Sequence, residues 1–81
     1  MRRSERPQPA LGKAVRQLRE KRGYTQTDLA AKASIADPTL SMIERGRSNP
    51  TWATVRDIAD ALGVSMADLA KLADKFASAD K

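Results

Sequence analysis

Apolar residues recur along the chain with a helical period and nowhere alternate as they would in a half-buried strand. Leu11, Ala14, Val15 and Leu18 stand at i, i+3, i+4 and i+7, and Gly23 supplies a left-handed stop, so a first helix is predicted from about Pro9 to Arg22. A second helix, about Gln26 to Ala33, follows at once. Thr25 is placed to cap it: the hydroxyl accepts from the Asp28 amide while the Asp28 carboxylate reaches back, and Leu29, Ala30 and Ala33 face inward. Asp37-Pro38 reads as an acidic cap followed by a proline whose missing amide costs nothing there. Leu40 and Ile43 then form the stripe of a third helix ending at Gly46. After the Ser48-Asn49-Pro50 loop, Thr51 opens a fourth helix to about Leu62, with Trp52, Val55, Ile58, Ala59 and Leu62 apolar, and Gly63 stops it. Trp52, a lone aromatic three residues before Val55, reads as core packing. Ser65 caps a fifth helix, again with Asp three residues on, which buries Met66, Leu69, Leu72 and Ala73 and extends to about Phe76.

The second and third helices are too short to stand alone, because nucleation costs more than about eight residues of hydrogen bonding return. The first, fourth and fifth must hold them. Two short helices crossed steeply over a turn of three or four residues form a helix-turn-helix, in which one helix braces on the DNA backbone and the next lies in the major groove. Ala30 is small where the two would touch, and Ile35, Leu40 and Ile43 fall at core positions around and after the turn. The reading is an all-α domain of five helices over residues 9–77, between a polar, basic arm at 1–8 and a short tail at 78–81.

Composition narrows the chemistry. The 81 residues fit one domain and include no cysteine and no histidine, which rules out disulfide scaffolds, thiolate nucleophiles and imidazole bases. Acids are spread over all five predicted helices without a metal-ligand cluster, so no enzymatic activity, metal or cofactor is expected, and no small-molecule pocket can be argued. No apolar run approaches the roughly 18 residues of a membrane span and the N-terminus lacks the apolar core of a secretory signal, so a cytoplasmic location is expected. Net charge is +5, unevenly placed: residues 1–23 hold eight Lys/Arg against two acids, residues 24–50 balance at three each, and residues 51–81 hold four against five. A basic N-terminal third suits a polyanion partner. It equally suits a solvated, solubilising helix face, and charge alone does not choose between them.

The stretch LREKRGYTQTDLAAKASIADPTLSMIERGRSNPTWATVRDIADALGVS, residues 18–65, resembles the Cro/CI-type (lambda-repressor-like) helix-turn-helix family. Arg19, Thr25-Gln26, Leu29-Ala30, Ile43-Glu44-Arg45-Gly46, Asn49-Pro50 and Ala61-Leu62-Gly63-Val64 carry the likeness. The resemblance implies a five-helix lambda-repressor-like domain that binds operator DNA, usually as a symmetric dimer. Two features depart from the pattern. Ser34 stands where the family often has glycine in the turn, and Pro38 and Met42 take outward positions of the third helix that are commonly polar, which makes hydrogen-bond readout of bases sparse.

Expected DNA contacts follow from that likeness. Gln26, at the first turn of the second helix, lies where family members bind phosphate through side chain and helix amides. From the third helix, Pro38, Thr39, Ser41 and Met42 face the groove; Thr39 can offer a hydroxyl to base or phosphate and a methyl to thymine, while Met42 can make only apolar contacts or pack partly on the domain. Asp37 could accept from cytosine, but a carboxylate near phosphates is unfavourable, and the capping role is preferred. Arg45, Arg47, Ser48 and Asn49 form a polar loop suited to phosphate, either arginine being also able to read guanine or a narrow minor groove. Arg2, Arg3 and Arg6 of the arm can track the backbone. The resemblance pairs Arg19 with Glu44 between the first and third helices. The fifth helix carries apolar residues at 66, 69, 70, 72, 73, 76 and 77, a stripe wider than one core contact uses, and Val64, Met66, Leu69 and Phe76 are expected at a homodimer seam. The leading function is a sequence-specific transcriptional regulator on an inverted-repeat operator. The alternative is a protein-interaction module, an adaptor or antitoxin, on the same fold.

Overall fold

A computed structural model describes residues 9–79, in which five helices follow one another: α1 (Pro9–Lys21), α2 (Gln26–Ala33), α3 (Asp37–Glu44), α4 (Trp52–Leu62) and α5 (Met66–Ala79), with no strand among the described residues. The arm at 1–8, with Arg2, Arg3 and Arg6, lies outside the described residues, as do residues 80 and 81. α5 continues past the boundary expected at 77.

Local chemistry closes most helix ends. Thr25 Oγ1 accepts from the Asp28 amide at 3.0 Å, and Asp28 Oδ2 accepts from the Thr25 amide at 3.0 Å, a complete capping box that starts α2. The bond from the Thr25 amide, then that with its side chain, holds the Asp28 carboxyl below its usual value, with a smaller contribution from Lys32. Ser34 ends α2 in the left-handed conformation, φ 59°, and the Ile35 amide returns to the Ala30 carbonyl at 2.9 Å. Thr51 and Ser65 cap α4 and α5 through the amides of Thr54 and Asp68. The Arg22 Nε donates to the Leu62 carbonyl and so joins the end of α1 to the end of α4.

The start of α3 differs from the sequence reading. Ala36, not Asp37, is the N-cap, and it makes no side-chain cap bond; Asp37 is the first helical residue and Pro38 the second. Thr27 on α2 donates its hydroxyl proton to Asp37 Oδ2 at 2.8 Å. A donor on a neighbouring helix therefore takes the carboxylate that local pattern had assigned to capping.

Leu29, Leu40, Ile43, Ile58 and Leu62 are fully buried, with Ala14, Val15, Ala30 and Ala33 filling between them. α2 packs on α4, α3 on α1, and α5 mainly along α1, so the two short helices are each held by a longer one. Two expectations fail here. Trp52 is 70% exposed, at the rim of a shallow groove shared with Leu11, Pro50, Val55 and Ala73, because the apolar stripe of α4 runs out of neighbours one turn before Val55. Leu69 is 1% exposed and belongs to the domain's own core, since α5 turns this face to α1, so it is not available to a dimer seam. Val64, Met66 and Phe76 are half-buried against the same core.

Candidate nucleic-acid interface

Leu40, Ile43 and Glu44 turn one face of α3 into the domain, which leaves Pro38, Met42 and Arg45, spaced i, i+4 and i+7, on the opposite face. All three are exposed, Met42 by 48%. Thr39 is exposed beside them, and Ser41 is half-buried on the flank. After α3 the chain turns at Gly46 (φ +71°), the Arg47 amide bonding back to the Met42 carbonyl at 2.9 Å. This turn projects Arg47 and Asn49 into solvent with Ser48 half-buried between them. Of the expected residues of α3 and its following loop, Pro38, Thr39, Met42, Arg45, Arg47 and Asn49 are thus exposed, and Ser41 and Ser48 are only partly so.

Behind that surface, α3 is clamped. Arg19 of α1 donates from Nε to Glu44 Oε2 at 2.7 Å and from Nη2 to Glu44 Oε1 at 3.0 Å, while Nη1 donates to the Tyr24 carbonyl at 2.9 Å. The fork is bidentate, and the two side chains are only 12% and 3% exposed. Hydrogen bonding to Glu44 raises the Arg19 pKa above its ordinary value against the opposing effect of burial, with the charges of Glu44 and Glu20 adding to it. Gln26 joins the same network, its Nε2 donating to Glu44 Oε1 at 3.0 Å. The expected phosphate ligand is therefore held in place by the carboxylate of the next helix, with one amide proton still available at the first turn of α2.

Gly12 completes the clamp and was not singled out in the sequence. A β-carbon there would stand 2.2 Å from the Ile43 carbonyl oxygen and 2.8 Å from that of Glu44, so α1 lies directly against the last carbonyls of α3. Gly12 and Arg19 are seven residues apart on one face of α1, and Pro9, three residues earlier, abuts Gly46. The available signal was a glycine inside a helical pattern, which often marks close backbone approach. The Thr27–Asp37 contact left no such signal, since it joins residues ten apart on different helices.

Several cations of the basic N-terminal third are engaged within the domain. Within α1 and its end, Arg16 pairs with Glu20 at 3.0 Å, Arg19 with Glu44, and Arg22 with the Leu62 carbonyl. Lys32 sits over the Tyr24 ring at 5.1 Å. The described residues contain no cluster of acidic or histidine side chains fit to hold a metal ion, and no helix long and apolar enough to cross a membrane.

A family model described as helix-turn-helix matches residues 15–69. The HTH-type transcriptional regulator DdrOP3 of Deinococcus deserti is 41% identical over 59 residues, which is 73% of this chain; the match spans 46% of that regulator's length. The crystal structure of the clp gene regulator ClgR from C. glutamicum superposes with a TM-score of 0.81 at 34% identity, covering 84% of this chain and 87% of that one. The restriction-modification controller protein C.Esp1396I, in the structure of its tetramer with its natural 35 base-pair operator, superposes with a TM-score of 0.78 at 28% identity, covering 84% of this chain and 90% of that one.

Proposed function

The chain belongs to the Cro/CI-type helix-turn-helix family of transcriptional regulators, and from that membership we propose that it binds an inverted-repeat operator as a homodimer, with α3 of each copy in the major groove. The observation that carries the reading is the clamp on α3. Arg19, Gln26 and Gly12 fix the inner face of the helix through Glu44 and Ile43, while the outer face, Pro38, Thr39, Met42 and Arg45, stays exposed. A recognition element needs this combination, a rigid seat and a free reading surface.

In this reading Gln26 and the α2 amides bind one phosphate, Arg45, Arg47, Ser48 and Asn49 follow the backbone beyond α3, and Thr39, Ser41, Met42 and Pro38 meet base edges and thymine methyls. Arg2, Arg3 and Arg6 of the N-terminal arm add further phosphate contacts in this reading. Two copies on a dyad place their α3 helices about 34 Å apart, one turn of DNA.

Affinity for duplex DNA measured over a range of salt concentrations tests the reading. The log of affinity should fall linearly with log salt, each neutralised phosphate adding about 0.9 to the slope, and Arg47→Ala should lower that slope by about one contact. A slope of zero would exclude DNA as the partner and return the surface to a protein-binding role.

A further inference from the structure

We infer that Asp37, held by Thr27, reads an exocyclic amino group of a base, and that each half-site therefore carries a cytosine at the position this side chain meets. The inference rests on the operator-binding reading above and adds a base to it. Asp37 is exposed on the first turn of α3, the end of a recognition helix that enters the groove first. It does not cap its helix, because the cap position is Ala36, which offers no side-chain acceptor. Its carboxylate is nevertheless fixed: the Thr27 hydroxyl spends its one proton on Oδ2 at 2.8 Å, and Oδ1 takes no hydrogen bond among the described residues. A carboxylate pinned at one oxygen and open at the other is a directed acceptor.

Acceptors in the major groove select for donors. Guanine offers O6 and N7 and thymine offers O4, all of which repel a carboxylate, whereas cytosine N4 and adenine N6 each carry an amino group. Adenine places the N7 lone pair beside N6, against the second carboxylate oxygen, and cytosine has only a C–H beside N4, so cytosine is favoured. The positive end of the α3 dipole offsets part of the repulsion between Asp37 and nearby phosphates. Pro38 and Met42 lack donors and acceptors for base edges, and Asp37 supplies the polar readout that they do not.

Thr27 is a positioning residue, acting through Asp37. Selection of bound fragments from a random duplex library, run in parallel with the wild type, Asp37→Asn, Asp37→Ala and Thr27→Val, tests the assignment. The wild type should enrich one cytosine per half-site, with about tenfold discrimination against the other bases there. Asp37→Asn, which can donate and accept together, should move that position to adenine. Asp37→Ala should lose the preference while binding random duplex at least as tightly, a result that a merely structural role would not give. Thr27→Val should weaken the preference and leave the rest of the consensus intact. An unchanged base preference in both Asp37 variants, on DNA that they still bind, overturns this inference alone. Failure of the wild type to enrich any duplex overturns the operator reading and this one with it.

Discussion

Gly12 approaches the Ile43 carbonyl so closely that a β-carbon on it would lie 2.2 Å from that oxygen. Replacing a mid-helix glycine by alanine ordinarily stabilises a helix by about 1 kcal/mol. Here the sign should reverse, because the obstacle is backbone and cannot rotate away. Gly12→Ala is expected to lose about 2 kcal/mol net, lowering the thermal midpoint of a domain of this size by about 10 °C. Alanine at the exposed Gln17 of the same helix is the control and should leave the midpoint within about 2 °C. An unchanged or raised midpoint in Gly12→Ala would mean that α1 does not rest on α3 as described.

The Arg19–Glu44 pair should behave as a coupled unit. Arg19→Met leaves a carboxylate that is 3% exposed with Gln26 as its remaining side-chain partner among the described residues, and a loss of about 3 kcal/mol is expected. Glu44→Gln removes the bidentate carboxylate from the guanidinium and leaves it Glu20, 4.0 Å away. The double variant should be more stable than the sum of the two losses by about 1 kcal/mol or more, measured by urea denaturation. Additive losses would show that the two side chains act independently.

Much of this architecture is legible in the sequence, and what is not has a common cause. The capping box at Thr25 and Asp28, the stops at Gly23 and Gly63, and the stripe of Leu40 and Ile43 are local signals, written within one or two helical turns. Trp52 was misread because a stripe states which face of a helix is apolar and not where its cover ends. Leu69 reads both as core and as seam, and the structure gives it to the core, because the breadth of the α5 stripe does not say whether α1 or a second copy takes it. Asp37 read as a cap because its actual partner, Thr27, lies on another helix. The Arg19–Glu44 contact could be named only through family resemblance, since nothing local joins two residues 25 apart.

Ser34 holds φ 59° without being glycine. The left-handed conformation costs a non-glycine residue of the order of 1 kcal/mol, part of which glycine gives back through its freer unfolded state. Ser34→Gly is therefore expected to stabilise the domain by about 0.5 kcal/mol and raise the midpoint by about 3 °C, with DNA affinity unchanged. A lower midpoint would indicate a favourable role for the serine hydroxyl that no contact in the structure accounts for.

The capping box predicts a pH dependence. Asp28 has its folded pKa lowered by Thr25, so the unfolded chain binds a proton at a higher pH than the folded one. The contribution to stability is present above the ordinary carboxylate pKa, about 3.9, and is lost as pH falls through the folded value. Asp28→Asn should accordingly be less stable than the wild type at pH 7, and the gap should narrow as pH falls below the ordinary carboxylate value. A gap constant from pH 7 to pH 3 would show that the charge of Asp28 does not matter to the cap.

The homodimer proposal can be tested at residues that differ in what α1 already uses. Leu69 is 1% exposed, and Leu69→Glu should unfold the monomer, with loss of helical circular dichroism, whatever the state of assembly. Val64 and Met66 are half-buried at the turn into α5, and a glutamate at either can reach water without dismantling the core. The pair Val64→Glu and Met66→Glu should therefore keep its helical signal while sedimenting as a monomer at concentrations where the wild type is a dimer. Binding to a palindromic duplex should weaken far more than binding to a half-site, because only the palindrome lets the two recognition helices act together. Phe76→Glu probes the far end of α5 and should act in the same direction if the seam extends along the helix. A wild type that sediments as a monomer at tens of micromolar and binds palindrome and half-site equally would remove the dimer from the proposed function. The geometry of α3 and its clamp, which lies within one chain, would stand unchanged.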